Sequence, residues 1–508
     1  MEFKLLKSKD DYSFEHYETS PLSKITGFIG TAGEALLTEN GLITLFVDPR
    51  YHIQAEIQTK GKEVAIVKMS NQMSFLTYLK NFLPENSTLL IPEKSTSYTY
   101  YKKIKEFISN VSFYDTEDDP ASITDDTLPV FEVPFEICGK TAKDKIFDVK
   151  IDNFLITNLE DIAYLLNLRS YKTKNTSTFR AKLFIKNQNE AYLFTDYKIP
   201  DIENVKVLKL FEYPSFIKNI DEEIKFSPDT TSMYDYNLIK KPMPVSDNPI
   251  KIFSSIKNEY EIKHYKDCFK KLDNALFSFR EKIKTGLSEF ELNEIFENEL
   301  KKAGAFQTSF KTILAIGENS SIIHYTASSK EKILKQDDII LLDCGGYFEG
   351  GYATDITRVF SPNPKSVSKK VKEIYTAVLK AQLNIYHSDI LYTDELHKKA
   401  YNMLKEYEKE GFFFPHGLGH GIGIMVHQAP PTLSDKIKQK IVNNNVFTIE
   451  PGLYKENAFG IRLENTVYLK DEIKTSLSKF PYEEDLILFD MLNNEEKEYL
   501  SKWQKGEI

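Results

Sequence analysis

Residues 416–428 read HGLGHGIGIMVHQ and place His416, His420 and His427, three of the chain's nine histidines, in one short run. Imidazoles ligate transition metals, move protons near neutral pH and stabilise developing charge. A helix that would align His416 with His420 is disfavoured by so much glycine, and no His-Glu-x-x-His pattern of a zinc protease is present. The glycines flanking His420 are read as letting the backbone come close to a metal or a substrate.

Carboxylates supply the other half of the chemistry. In DIILLDCGGYFEGGYATDITRVF, Asp343 ends an apolar strand, a costly place for a charge unless it is paired or coordinated. Asp355 follows in an alternating stretch, and Gly350-Gly351 forms a hairpin tip that folds the two aspartates together. FTIEPGLY puts Glu450 at the end of a second apolar strand. In GIRLENTVYL, Ile461 and Leu463 face one way, Arg462 and Glu464 the other. Singly, each of these residues reads as a turn cap or a surface ion pair. Together, four carboxylates and one imidazole cannot stay ionised at one site without compensating positive charge. Two divalent cations supply it. Oxygen ligands with one nitrogen suit Mn²⁺, Co²⁺, Fe²⁺ or Zn²⁺, and two such ions about 3.5–4 Å apart activate a shared water for hydrolysis. Arg462 is expected to clamp one of the carboxylates and to lie among the substrate-contacting residues.

The elements that must position these groups follow from periodicity. From about residue 310 the chain is strand-rich, with TILAIG, DIILLDCGG, YATDITRVF, NVFTIEPGLY and FGIRLENTVYL, and with helical patterns at 368–386 and 393–410. Before it, KNEYEIKHYKDCFKKLDNALFSFREKIKTG predicts a long helix with Gly286 as its stop, and SEFELNEIFENELKKAG a second with a Ser cap. Helices and antiparallel strands segregated in sequence predict an α+β domain. The earlier third mixes short strands and helices. EALLTENGLITLFVD and KLFIKNQNEAYLFTD look like two copies of one hairpin, and hence of one α/β module.

Bulk properties bound the rest. A chain of 508 residues, 41% apolar and 28% charged, is globular and needs about three domains. A net charge of −9 argues against a nucleic-acid partner. No stretch approaches the ~18 apolar residues of a membrane span. The N-terminal MEFKLLKSKDDYSFEHY has no apolar signal region, and Cys138, Cys268 and Cys344 read as sparse reduced thiols, so a cytoplasmic location is expected.

The order and contexts of Asp343, Asp355, His420, Glu450 and Glu464 resemble the pita-bread metallopeptidase family, which embraces methionine aminopeptidase, prolidase, aminopeptidase P and creatinase. SKITGFIGTAGEALLT, VDPRYHIQAE, LEDIAYLLNLRS and the tail LILFDMLNNEEKEYLSKWQ narrow the likeness to its long, three-domain aminopeptidase P branch. The resemblance implies a pita-bread catalytic domain at 249–470 after two creatinase-type α/β domains, 1–118 and 119–248, with a C-terminal extension, 471–508. It implies five metal ligands, with Asp355 and Glu464 bridging two ions, foremost Mn²⁺ with Zn²⁺ or Co²⁺ as alternatives. It gives Glu450 a proton-handling role and makes His324, His416 and His427 substrate contacts. The implied activity is removal of an N-terminal residue that precedes proline in short peptides, by a homodimer. A prolidase and a catalytically silent peptide-binding protein are the rivals. The Asp343–Asp355 interval is one residue longer than the family's, and the extra residue is assigned to the Gly350-Gly351 turn or a bulge there, because a slip within a strand would turn one aspartate away.

Overall fold

The computed structural model describes residues 1–12, 19–70, 74–116 and 129–506. The chain divides into two compact units, one made of residues 1–132, 140–173 and 178–250, the other of 133–139, 174–177 and 251–508.

The first unit holds two six-stranded sheets. Strands β1 (Glu2–Lys7), β2 (Glu34–Thr38), β3 (Ile43–Val47), β4 (Val64–Lys68), β5 (Thr88–Pro92) and β6 (Asn110–Tyr114) lie in the order 4-3-2-1-5-6. Strands β7 (Phe154–Ile156), β8 (Lys182–Asn187), β9 (Glu190–Phe194), β10 (Val205–Leu208), β11 (Ile224–Phe226) and β12 (Pro242–Pro244) lie in the order 10-9-8-7-11-12. Strand for strand the two sheets share one topology, including which neighbours run parallel and which antiparallel. The two hairpins that look alike in sequence are β2–β3 and β8–β9, so the repeat is a repeat of fold. Ser97 and Ser232 cap equivalent helices and meet in an antiparallel bridge. Alternation builds each core: Phe3 and Leu5 of β1 pack with Leu36, Phe46, Phe75 and Leu79, while Leu155, Phe184 and Phe194 pack with Tyr213 and Phe226.

The second unit contains the long helix α1 (Glu259–Arg280), started by an Asn258–Glu261 capping box. Gly286 does not stop this helix. Gly286 has φ +91° but lies beyond a helix that ends at Arg280, because Phe279 is the last side chain the core holds. Helix α2 (Glu289–Lys302) is capped by Ser288 and followed by Gly304 at φ +99°. Strands β13 (Ile313–Ile316), β14 (Ile340–Cys344) and β15 (Ile356–Phe360) form an antiparallel sheet in that order. Helices α3 (Lys369–Tyr386) and α4 (Thr393–Leu404) follow.

After them come β16 (Gly419–Gly421), β17 (Gln428–Leu433), β18 (Val446–Ile449), β19 (Gly452–Lys455), β20 (Phe459–Arg462), β21 (Asn465–Lys470) and β22 (Ile473–Ser476). Five of them form an antiparallel sheet in the order 17-16-18-21-22, and β19 pairs with β20. One core cluster joins α3, α4 and these strands, and includes Trp503 of the last helix, α5 (Asn494–Gln504). No described helix is long and apolar enough to cross a membrane. All three cysteines are buried free thiols.

Candidate metal centre

Strand register brings the two aspartates together. Asp343 on β14 lies opposite Thr357 on β15, and the same register continues without a slip to the Tyr347–Ala353 bridge. Asp355, two residues before Thr357, therefore shares a face with Asp343. The length between them is taken up in the turn beyond that bridge, where Gly350 and Gly351 have φ +83° and +67°. The ribbon thus has no bulge between the aspartates.

His420 comes from the middle of β16, which runs between β17 and β18. The glycines around it serve a different purpose from the one expected. A Cβ at Gly419 would lie 2.1 Å from the Thr448 carbonyl oxygen, and one at Gly421 2.3 Å from that of Gln428. They are required for neighbouring strands to approach the backbone. Glu450 directly follows β18, its N–H donating to the Leu418 carbonyl at 2.8 Å. Glu464 sits between β20 and β21, its N–H donating to the Thr357 carbonyl at 3.1 Å. The alternation read in GIRLENTVYL holds: Ile461 and Leu463 are in the core.

Ligand-type atoms of Asp355, His420 and Glu464 all lie within 4.8 Å of one another. His420 Nε2 is 3.7 Å from Asp355 Oδ2 and 3.5 Å from Glu450 Oε1. Its Nδ1 faces the Gly421 carbonyl at 3.1 Å, so the proton belongs on Nδ1 and the Nε2 lone pair points at carboxylates. Two lone-pair donors facing each other call for a cation between them.

The carboxylates repeat the message. Asp343 Oδ2 accepts from Arg462 Nη2 at 2.6 Å, and Glu464 Oε2 from the Thr357 hydroxyl at 2.7 Å. Asp343 Oδ1, Asp355 Oδ1 and Glu464 Oε1 are buried and accept no hydrogen bond among the described residues. Buried carboxylate oxygens left this way are expensive unless they coordinate a metal. Burial, then repulsion from Glu464, Asp343 and Glu450, pushes the Asp355 carboxyl far above the ordinary carboxylate range. Burial, then Glu450 and Asp343, does the same to Glu464, while burial pushes the His420 imidazole down. The donor set fits oxygen-rich binding of divalent ions with one imidazole nitrogen.

Arg462 is buried, with a relative exposure of 2%. Besides Asp343, its guanidinium donates to Thr357 Oγ1 at 3.2 Å and to Tyr454 Oη at 2.7 Å. This is the arrangement of a group that orients a carboxylate. The Tyr454 hydroxyl is in turn 2.9 Å from His416 Nε2, whose Nδ1 faces the Gly417 carbonyl. His427 is exposed, its ring centroid 4.3 Å from that of His420. His324 is half-buried on the loop after the turn Gly317–Ser321, and its neighbour Ile323 has its carbonyl 3.5 Å from Arg462 Nη1.

Sequence reasoning missed Tyr454, Thr357 and Thr448. Thr357 was recoverable, because it shares a strand face with Asp355 at a spacing of two. Thr448 Oγ1, which accepts from the His420 backbone N–H at 3.0 Å and donates to Glu450 Oε1 at 3.3 Å, was recoverable in the same way from Glu450. Tyr454 carried no signal, since it lies on a strand 38 positions from His416, which is in a loop.

Residues 263–471 match the profile of metallopeptidase family M24, and residues 24–121 and 118–261 match two creatinase/prolidase N-terminal domain profiles. The Xaa-Pro dipeptidase of Pyrococcus horikoshii is 34% identical over 238 residues, which is 46% of this chain and 65% of that enzyme. The chain thus spans a little under two thirds of that relative. Mouse Xaa-Pro aminopeptidase 2 is 25% identical over 549 residues, covering 94% of this chain and 78% of that protein. In fold, the chain is similar to the X-prolyl aminopeptidase of Caenorhabditis elegans, described as a cytosolic enzyme with a di-nuclear active site. The TM-score is 0.88 at 21% identity, over 99% of this chain and 91% of that one. Residues 263–471 thus carry an M24-type pita-bread domain, preceded in the chain by two creatinase/prolidase-type N-terminal domains.

Proposed function

We propose that the protein is a metal-dependent aminopeptidase that hydrolyses the bond between an N-terminal residue and a following proline in short peptides. The observation that carries this reading is the set of four acidic side chains and His420 converging with three buried, unpaired carboxylate oxygens. In this reading Asp343, Asp355, His420, Glu450 and Glu464 would hold two divalent ions, Mn²⁺ foremost and Zn²⁺ or Co²⁺ next. When bound, such a pair supplies Lewis acidity and lowers the pKa of a shared water.

The chain's own residues do the rest. Glu450 handles the proton of the attacking water, its Oε1 steadied by the Thr448 hydroxyl, which donates to it. His324, His416 and His427 face the peptide, hold the scissile carbonyl and steady the developing negative charge. Arg462 holds Asp343 in place. Proline lacks an N–H and restricts the residue before it, so this bond needs a dedicated pocket.

The same reading takes the domains as 1–118, 119–248, 249–470 and 471–508, and the enzyme as a cytoplasmic homodimer acting on peptides rather than on nucleic acid or membrane. Likeness to the family supports these points. Prolidase is the second reading, favoured by the identity to the archaeal dipeptidase. Alignment over nearly the whole chain favours the aminopeptidase. Cleavage of Xaa-Pro against Xaa-Pro-Pro, with and without chelator and with Glu450→Gln as control, separates them. Hydrolysis of the dipeptide alone would establish prolidase, and no chelator-sensitive hydrolysis of either would sink both.

A further inference from the structure

Arg358 lies next to the centre in sequence but faces away from it. It is buried at 1% exposure on β15, on the opposite side from Asp355 and Thr357. Its Nη1 donates to the Thr357 carbonyl at 3.0 Å and to the Glu464 carbonyl at 2.6 Å. Its Nη2 donates to Asn465 Oδ1 and to the Phe480 carbonyl, both at 2.8 Å. The guanidinium also stands 4.9 Å from the centroid of the Tyr482 ring.

Phe480 and Tyr482 belong to the chain after β22. Asn465 Nδ2 donates to Tyr482 Oη at 2.6 Å, so the residue following Glu464 is held by both Arg358 and Tyr482. The segment carrying them is anchored at both ends. Ser478 Oγ and the Lys479 N–H donate to the two carboxylate oxygens of Asp273 on α1, at 2.6 and 2.7 Å. On the other side, Gln504 of α5 exchanges two hydrogen bonds with the backbone of Tyr482, and Trp503 Nε1 donates to the Phe480 carbonyl.

We propose that residues 478–504 form a strap whose function is to position the metal centre, with Arg358 and Tyr482 as positioning residues that fix the Glu464 peptide. The inference rests on Glu464 being a metal ligand. A buried guanidinium with four acceptors spread over three chain segments fixes those segments relative to one another, because releasing any one leaves a charge-assisted bond unmade. Partners one step behind a ligand typically set metal affinity within a factor of roughly 10–100.

The test is Co²⁺ binding to the full-length protein, followed by chelator competition and by the visible spectrum of the ion. Wild type is compared with Arg358→Lys, which cannot reproduce the fork, and Tyr482→Phe, which keeps the ring but removes the acceptor for Asn465. The expected result is Co²⁺ binding roughly 10–100-fold weaker in both variants, with an altered spectrum, at a temperature where circular dichroism shows all three folded. Tyr482→Phe keeps the test alive if Arg358→Lys does not fold. A wild type that binds and a folded Tyr482→Phe that binds equally tightly with the same spectrum overturns the strap alone. A wild type that takes up no ion overturns the ligand reading and the strap with it.

Discussion

Arg462 Nη2 and Asp343 Oδ2 are 2.6 Å apart, a buried ion pair that leaves the other oxygen of Asp343 buried and accepting no hydrogen bond among the described residues. The guanidinium selects which oxygen of Asp343 is presented. Arg462→Met keeps volume but removes that selection, and it leaves Asp343 and Tyr454 without their donor. The expected outcome is metal affinity and kcat/KM lower by roughly 10–100-fold, read by chelator competition and peptide cleavage at saturating metal.

Gly419 sets how closely β16 and β18 approach. In Gly419→Ala the new methyl would fall 2.1 Å from the Thr448 oxygen, so the strands must part by more than an ångström at the residue before His420. A displacement of about 1 Å at a reacting centre costs roughly 10²-fold in rate. Activity should fall by about that factor, whereas Gly41→Ala, strained by its φ of +84° but with nothing within 4 Å, should cost some stability and leave activity unchanged.

Glu289, fully buried at the start of α2, holds the loop that carries His324. Its Oε1 accepts from the Ile316 N–H and Asn319 Nδ2 at 2.7 and 3.0 Å, and its Oε2 from Tyr325 Oη and the Ser329 N–H at 2.6 and 3.0 Å. Glu289→Ala leaves these donors without their acceptor, at about 1–3 kcal/mol for each one that stays buried. Amide hydrogen exchange at Ile316 and Ser329 should quicken, and KM for a proline-second peptide should rise.

His387 stacks on Tyr499 of α5, with ring centroids 3.6 Å apart, and burial pushes its imidazole down to about 4. The unfolded chain binds a proton near pH 6.5 and the folded chain only near pH 4. The stabilisation is therefore complete above about pH 6.5 and is lost as the pH falls towards 4. Allowing for the ring's partial exposure, the loss is on the order of 1–2 kcal/mol. In His387→Phe, which keeps the stack but cannot take a proton, the drop in thermal midpoint between pH 7 and pH 5 should be smaller than in wild type.

The candidate site was legible in part, because two of its carboxylates stand where apolar runs end. Asp343 and Glu450 end apolar runs, and Glu464 occupies the polar phase of an alternating strand. Periodicity also predicted α1 and α2, although the end of α1 depended on where the core stops offering contacts, which lies outside any local window. The role of the glycines around His420 was misread, since close backbone approach looks the same in sequence whether ligand or strand is the neighbour.

Local side-chain types, spaced at the period of a strand, were enough to state which groups could share a metal and that two α/β modules precede them. Tertiary structure alone decided which oxygens of Asp343, Asp355 and Glu464 accept no hydrogen bond among the described residues, that Tyr454 joins His416 to Arg462, and that Arg358 reaches Phe480, 122 positions away. The physical reason is range. Alternation and capping act within a few residues, whereas hydrogen bonds between distant segments exist only once the sheets have closed on a common core.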